Sequence, residues 1–330
     1  MRNVDALGGD WLADEVGDII EAIDHVLPSV YNQETRYLPD SVTPMPGYIN
    51  YDINPYMVEI LDAADPRSPV REVNLMKGVQ ITYTTLLESV LLYYMAYVKT
   101  RPCMLVSADK ELVKGRIENY ILPMLQQSDL AHIIKSSDEG NSRKTGKTAN
   151  QLQWDGKGFL IPGGANNADK MRMYSIQLML KDEIDAWPDI VGKDGDPDKL
   201  TDDRCSAFWE ARKIYRGGTP LVRATSKIYK QYLRGDQRQY NVLCRGCGHP
   251  QVLRWEVTNK ETGLVGGIMY DIQDGTLVNE SVRYVCPHCG HEHFDKDKPK
   301  LFSLDEGAHW KPTANPKVPH VRSYHLPALY

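Results

Sequence analysis

Three groups of residues in this 330-residue sequence have the types and spacing to do chemistry. The first is Lys77-Gly78-Val79-Gln80-Ile81-Thr82-Tyr83-Thr84, which has the length of a phosphate-binding loop. Such a loop reads Gly, four residues, then Gly-Lys-Ser/Thr, because unhindered backbone N–H groups must cradle phosphates while the lysine and hydroxyl address phosphate and Mg²⁺. Here those places hold Lys77, Thr82, Tyr83 and Thr84, so only the last hydroxyl conforms. A lysine is present at the first place, from which its flexible stem reaches the β- and γ-phosphates. Two readings stand: an ordinary strand-to-helix turn, or an ATP loop whose cation comes from Lys77.

The second group is Asp182-Glu183, at the end of the apolar run Ile176-Gln177-Leu178-Met179-Leu180. In an ATPase such an Asp holds Mg²⁺ through water and the Glu orients or deprotonates the attacking water. A strand ending in a charged turn is the plainer reading. Each of the two weak signals predicts the other, because a phosphate loop and an apolar strand ending in Asp-Glu belong together in a doubly wound ATPase core.

The third group is Cys244-Arg-Gly-Cys247 with Cys286-Pro-His-Cys289, and it is the strongest isolated signal. Four thiolates at this spacing favour tetrahedral Zn²⁺ in a closed structural site. Gly246, Gly248 and Gly290 allow the tight turns of two knuckles. The nearby His249 and His288 read as surface residues, since four cysteines already complete the shell, and Cys103 and Cys205 stand alone. The ribbon either grips DNA or its docking partner, or staples a small domain whose own core is insufficient.

Elements must position these groups. Val73–Met76 reads as a buried strand ahead of the loop, and Thr85 opens an apolar-rich helix. Cys103–Val106 is a second core strand, and Lys110 to Gln126 is helical, with Val113, Ile117, Ile121 and Leu125 on one stripe. Gln151 to Pro162 alternates around Asp155-Gly156 as a hairpin. Thr145-Gly146-Lys147-Thr148 contains the literal Gly-Lys-Thr tripeptide, yet no buried strand feeds it and no amphipathic helix follows, so it reads as an exposed basic loop with Arg143 and Lys144. Leu264–Tyr270 is strand-like, and Trp11 to Leu27 is an apolar helical stretch. The expected fold is α/β: a doubly wound, mostly parallel sheet of P-loop ATPase type with an inserted small zinc-ribbon module. Its ligand site lies beyond the carboxyl ends of the strands. The expected organisation is an N-terminal appendage or lid over 1–45, an ATPase core over 46–235, the zinc ribbon over 236–310, and a return strand or linker over 311–330.

A hydrophobic content of 42% and a charged content of 25% fit an ordinary globular chain, and a net charge of −5 gives no global sign of nucleic-acid binding. No run of eighteen apolar residues and no signal-peptide core appear, which points to the cytoplasm and to no membrane association.

At this level the sequence resembles the large terminase subunit of lambda-type tailed phages, over roughly residues 46 to 330. The likeness runs in order through Asn54-Pro55-Tyr56, the Lys-first loop with Gln80, and Gly163-Gly164-Ala165-Asn166-Asn167-Ala168-Asp169-Lys170-Met171-Arg172. It continues through Asp182-Glu183-Ile184-Asp185, Gly218-Thr219-Pro220, Gly235-Asp236-Gln237-Arg238-Gln239-Tyr240 and His325-Leu326-Pro327-Ala328-Leu329-Tyr330. The resemblance implies an ATP-hydrolysing motor that moves double-stranded DNA into a procapsid, with ATP, Mg²⁺ and Zn²⁺ as ligands. It implies that Lys77 to Thr84 wrap the triphosphate, that Thr84 and Asp182 hold Mg²⁺, and that Glu183 activates water. Tyr56 and Pro55, with Tyr48 as a further candidate, would contact the adenine side. Arg172 would be an arginine finger, and Gly218-Thr219-Pro220 a coupling motif with Gly in place of a hydroxyl residue. Implied partners are the portal protein, the small terminase subunit and further copies in a ring, in the host cytoplasm and transiently at the portal. Nuclease activity is not expected from these residues. Thr82, a β-branched residue where the loop usually has glycine, departs from the pattern. It leaves two competitors: a helicase-like nucleic-acid ATPase, and a non-hydrolysing zinc-containing component that binds DNA or portal.

Overall fold

The computed structural model describes residues 25–41, 43–79, 81–99, 101–134, 147–148 (backbone only), 151–154, 158–167 and 173–330. A helix, Pro28–Thr35, leads into a two-stranded ribbon of β1 (Tyr37–Leu38) and β2 (Gly47–Tyr48). The stretch read as helical from Trp11 lies outside the described residues except for its last three positions.

The main sheet starts with β3 (Glu72–Lys77), all six of whose residues are buried, and β4 (Pro102–Ser107). It adds β5 (Lys147–Thr148), β6 (Gln151–Gln153), β7 (Phe159–Gly164), β8 (Leu178–Lys181), β9 (Lys213–Gly218), β10 (Arg238–Leu243) and β11 (Pro250–Gln251). An inserted unit follows, with β12 (Glu256–Thr258), β13 (Val265–Met269), the ribbon β14 (Ile272–Gln273) and β15 (Thr276–Leu277), β16 (Arg283–Val285) and β17 (Glu292–Phe294). The chain returns through β18 (His309–Lys311) and β19 (Val321–Leu326) to the main sheet.

Strand order across the sheet is β11-β10-β19-β3-β9-β8-β4-β7-β6-β5, with β18 also on β10. The strands from β10 to β7 in that order are parallel to one another, and among the described residues the antiparallel pairs of this sheet lie toward its two edges. Side chains alternate between two buried clusters. Leu75, Cys103, Leu105, Leu178, Leu180 and Tyr215 join the cluster that packs under the helix Tyr83–Tyr93, while Met76, Met104, Val106, Met179 and Ile214 join the cluster on the opposite face. Two covered faces explain why these strands read as unbroken apolar runs and not as alternation.

The helix read over Lys110 to Gln126 is present as Lys110–Arg116, a wider turn at Ile117–Ile121 and Leu122–Gln127, with its four-residue stripe buried. Asp109 caps it by accepting a hydrogen bond from the Glu111 amide at 2.8 Å. One expectation needs correcting. Lys147 and Thr148 belong not to a loop but to β5, which extends the hairpin by pairing with Gln151 and Leu152 on the free edge of β6; the residues before 147 lie outside the described set. β10 and β18 lie within the span read as the zinc ribbon yet belong to the main sheet, so the sheet flanks the inserted unit on both sides.

Candidate active site

The parallel sheet delivers its polar residues to one end. Lys77 is the last residue of β3, Asp182 and Glu183 follow β8, and Thr219 follows β9, which lies between those two strands. That order brings together residues 106 apart in sequence: Lys77 Nζ meets Glu183 Oε1 at 2.6 Å. Lys77 Nζ also lies 3.4 Å from Thr219 Oγ1, and the Thr219 amide donates to Glu183 Oε2 at 3.2 Å. The carboxylate of Glu183 is therefore held between the loop and the segment after β9. Its backbone is left-handed, φ 49° and ψ 55°, a conformation that costs a non-glycine residue about 1–3 kcal/mol and tends to mark functional sites.

Asp182 is held by its backbone and left partly unsatisfied at its tip. Its amide donates to the Val106 carbonyl at 2.9 Å and its carbonyl accepts from Trp187 Nε1 at 3.0 Å. Oδ2 faces the Thr84 hydroxyl at 3.4 Å, whereas Oδ1 is buried with no hydrogen-bond partner among the described residues. Burial, helped by the neighbouring Glu183 charge, pushes its pKa up to about 6 against the opposing pull of Lys77 and Arg116. A buried carboxylate oxygen without a partner, opposite a hydroxyl on the first turn of the loop helix, fits a hard cation that takes oxygen ligands.

Within the loop, Gly78 donates its amide to the Leu326 carbonyl at 2.9 Å, and a Cβ there would meet the Ala328 amide nitrogen at 2.7 Å. This glycine is required by the close approach of the returning chain after β19. Val79 is exposed, Ile81 is buried, and Gln80 lies outside the described residues. Thr82 has φ 21° and ψ 18°, so the β-branched residue does occupy a backbone conformation that favours glycine. Tyr83 is buried and turned away from the loop, with its hydroxyl donating to the Lys181 carbonyl at 3.1 Å.

Beside the loop is a cavity of ≈ 550 Å³ lined by Tyr48, Asn50, Asn54, Thr82, Thr85 and Arg116, among others. Of the expected adenine-side residues only Tyr48 lines it. Tyr56 is packed edge-on against Tyr240, Phe302 and Tyr330, its hydroxyl bonded to Asn54 Oδ1 at 2.6 Å, and Pro55 lines a separate hollow with Val58 and Glu59. Neither is brought to the loop, because the apolar ring of Tyr56 is more stable in that aromatic cluster. Arg172 lies outside the described residues. Gly218 ends β9 and Thr219 reaches the Lys77–Glu183 pair, while Pro220 leads through the exposed Leu221 and Val222 into a turn at Arg223–Thr225.

Charges that the sequence did not announce lie below this edge. Lys181 and Arg216 are fully buried; Lys181 Nζ meets Asp198 Oδ1 at 2.5 Å and Asp202 Oδ1 at 2.7 Å, and Arg216 is bonded to Asp198, Asp202, Glu72 and Asn74. Burial alone would raise the Asp198 pKa, but Arg216 and Lys181 hold the carboxyl well below the ordinary range. A charged residue inside an otherwise apolar strand, as in Lys213-Ile-Tyr-Arg216 or directly before Asp182, was the available signal. A second such group joins Arg36 to Glu88 (2.6 Å) and Glu88 to Arg116 (2.8 Å) along the wall of the cavity.

The four cysteines converge independently. The sulfurs of Cys244, Cys247, Cys286 and Cys289 all lie within 4.8 Å of one another, with Cys244 and Cys289 at 3.7 Å. Tetrahedral Zn–S bonds of about 2.3 Å require sulfurs about 3.8 Å apart, so the set fits that ion. The knuckles are built alike: the Cys244 amide donates to the His249 carbonyl and the Cys286 amide to the His291 carbonyl, while Gly248 and Gly290 take φ of 71° and 73° and donate back to Cys244 and Cys286. His249 and His288 stack on each other at 3.4 Å outside the sulfur cluster.

Residues 43–310 match the family model of the phage terminase large subunit gpA, ATPase domain. Among curated proteins, the large terminase subunit of Enterobacteria phage P21 is 27% identical over 260 residues, covering 77% of this chain and 37% of that protein. The large terminase subunit of Escherichia phage lambda is 26% identical over 224 residues, covering 66% of this chain and 32% of its own length. The chain thus spans about a third of the relatives it matches. Among solved structures, the large terminase ATPase domain of Thermus phage P74-26 aligns with 92% of this chain and 86% of that chain at 10% identity and a TM-score of 0.44. The large terminase of a second thermophilic bacteriophage aligns with 50% of this chain and 38% of that chain at 14% identity and a TM-score of 0.36.

Proposed function

The chain belongs to the family of phage terminase large-subunit ATPase domains, and we propose that it is the ATP-hydrolysing motor of a machine that moves double-stranded DNA into a procapsid. The observation that carries this reading is the meeting of Lys77 and Glu183 at 2.6 Å beyond the carboxyl ends of β3 and β8, with Thr84 and Asp182 opposed beside them. The triphosphate lies along Lys77 to Thr84, and the base enters the cavity lined by Tyr48 and Asn54.

Asp182 and Thr84 would hold Mg²⁺, which when bound would neutralise charge on the nucleotide phosphates. With nucleotide in place, the γ-phosphate competes with Glu183 for the Lys77 ammonium. Release from Lys77 leaves the Glu183 carboxylate free to orient a water molecule and take its proton as the water oxygen attacks the γ-phosphorus and ADP departs. The Thr219 amide, already bonded to the other carboxylate oxygen, senses that exchange, which is the physical basis for a coupling role of Gly218-Thr219-Pro220. Arg172 supplies charge to the transferring phosphoryl group from this copy or from a neighbour in a ring. The four cysteines would hold structural Zn²⁺ in a module that extends from the main sheet between β10 and β18. Portal, small terminase subunit and DNA are the partners, in the host cytoplasm; among the described residues no helix is long and apolar enough to cross a membrane.

The test is Mg²⁺-dependent ATP turnover by the purified chain. Glu183→Gln keeps shape and removes the base, and turnover is expected to fall by at least about 10²-fold. Undiminished turnover would overturn the assignment.

A further inference from the structure

Tyr83 stands where a phosphate-binding loop usually carries its lysine, and neither the ATP nor the metal chemistry above gives it a task. Its side chain is 1% exposed and points under the sheet edge. Its hydroxyl donates to the Lys181 carbonyl at 3.1 Å, and its ring lies so close to Gly217 that a Cβ there would meet Cε1 at 2.1 Å. The contacted residues are one before Asp182 and two before Thr219, at the ends of β8 and β9, and the next residue of Tyr83's own helix is Thr84.

The hydrogen bond acts on a specific rigid unit. The peptide joining Lys181 to Asp182 is planar. It is gripped at its oxygen by Tyr83 and at its nitrogen by the Val106 carbonyl, 2.9 Å from the Asp182 amide. Fixing both ends of that plane fixes the direction in which Asp182 leaves the strand, and hence where its unpartnered Oδ1 points. A lysine in this place would bury a further ammonium under the sheet edge and would leave the space over Gly217 unfilled.

We propose that Tyr83 is a positioning residue: a strut from the first turn of the loop helix to the ends of β8 and β9 that sets the Thr84–Asp182 metal seat and leaves the phosphate cation to Lys77. The proposal rests on the ATPase reading above.

Tyr83→Phe tests it, because the ring keeps its place on Gly217 while the hydroxyl is lost. Nucleotide binding is titrated with and without Mg²⁺ by fluorescence of a labelled ATP, alongside turnover. The expected result is a rise of about fivefold in half-saturating Mg²⁺ with metal-free nucleotide affinity nearly unchanged, beside a small fall in the thermal midpoint from the Lys181 carbonyl left without its donor. Unchanged Mg²⁺ dependence overturns the strut. A second pair of variants guards the other half of the proposal: Lys77→Ala with Tyr83→Lys is expected to be as inactive as Lys77→Ala alone, and recovery above roughly a tenth of wild-type kcat would show that position 83 does reach phosphate. A wild-type chain that neither binds nor hydrolyses MgATP sinks the ATPase reading and the strut with it, whereas an active wild type with an indifferent Tyr83→Phe sinks the strut alone.

Discussion

The carboxyl-end edge of the sheet and the cysteine cluster of the inserted unit both gather several acidic groups close together, and they do so by opposite means. At the edge the counter-charge is built into the chain: Lys77 on Glu183, and beneath it Lys181 and Arg216 on Asp198 and Asp202. In the inserted unit four sulfurs gather within 4.8 Å, the Cys244 sulfur facing the Cys289 sulfur and the Gly246 amide and not a cation, and the short strands β12, β13, β16 and β17 bury few residues. A site that carries its own cations stands without ligand and can exchange partners during turnover. A cysteine set of this kind would have to import its cation and would keep it once filled, which suits a structural part and not a working one.

The sharpest way to break that contrast is to remove the imported cation. Structural zinc in small units is worth about 10–16 kcal/mol of apparent binding energy near neutral pH. Cys286→Ser, or a strong chelator, is expected to release one zinc per chain and expose residues 245–300 to proteolysis, while the thermal transition of the sheet persists. Metal analysis with limited proteolysis checks this. Simultaneous loss of the sheet would mean that the two regions form one cooperative unit and that the contrast is false.

Next in size is the built-in counter-charge. Asp198 is the hub between Lys181 and Arg216, so Asp198→Ala leaves two buried cations short of a partner and should cost about 3–5 kcal/mol in urea unfolding. A loss under about 1 kcal/mol would mean that Asp202 and Glu72 suffice.

The same carboxylate sets a smaller, graded effect of pH. Although burial raises its pKa, Arg216 and Lys181 hold Asp198 well below the ordinary carboxylate range. An unfolded Asp titrates near about 3.9, so the stabilisation is complete above that pH and is lost as pH falls below it toward the depressed folded value. Each pH unit in that window removes about 1.4 kcal/mol per carboxylate of this kind. Unfolding followed from about pH 5 to about pH 2 should show this slope in the wild type and a shallower one in Asp198→Asn.

What could be read from the sequence divides along the same line. Four cysteines announce by spacing alone that their sulfurs gather, because two knuckles leave few other arrangements. The strands β3, β4 and β8 were legible as apolar runs, and the Asp-Glu pair as their consequence. The place of β9 between β3 and β8 was not legible, since no local pattern encodes strand order, and without it the approach of Thr219 to Lys77 and Glu183 has no cause. The destination of Tyr56 was equally hidden: a tyrosine ahead of β3 in sequence reaches the cluster of Tyr240, Phe302 and Tyr330, which come from more than 180 residues away. The burial of Arg216 was equally illegible, because its partners Glu72, Asn74, Asp198 and Asp202 lie on separate segments that only the fold brings around it.

The smallest effect concerns Thr82, where sequence and geometry agree on an oddity. At φ 21° with its side chain exposed and making no cap, Thr82 pays for a backbone that glycine adopts freely. Relief of about 1–2 kcal/mol on going to glycine is offset by about 0.5–1 kcal/mol of chain entropy, leaving a net gain of up to about 1.5 kcal/mol. Thr82→Gly is therefore expected to raise the thermal midpoint slightly and to leave MgATP affinity equal or tighter, as measured by titration calorimetry. Weaker binding would show that the Thr82 side chain itself touches nucleotide in the cavity it lines, and that the strain at this position, like that at Glu183, belongs to the chemistry.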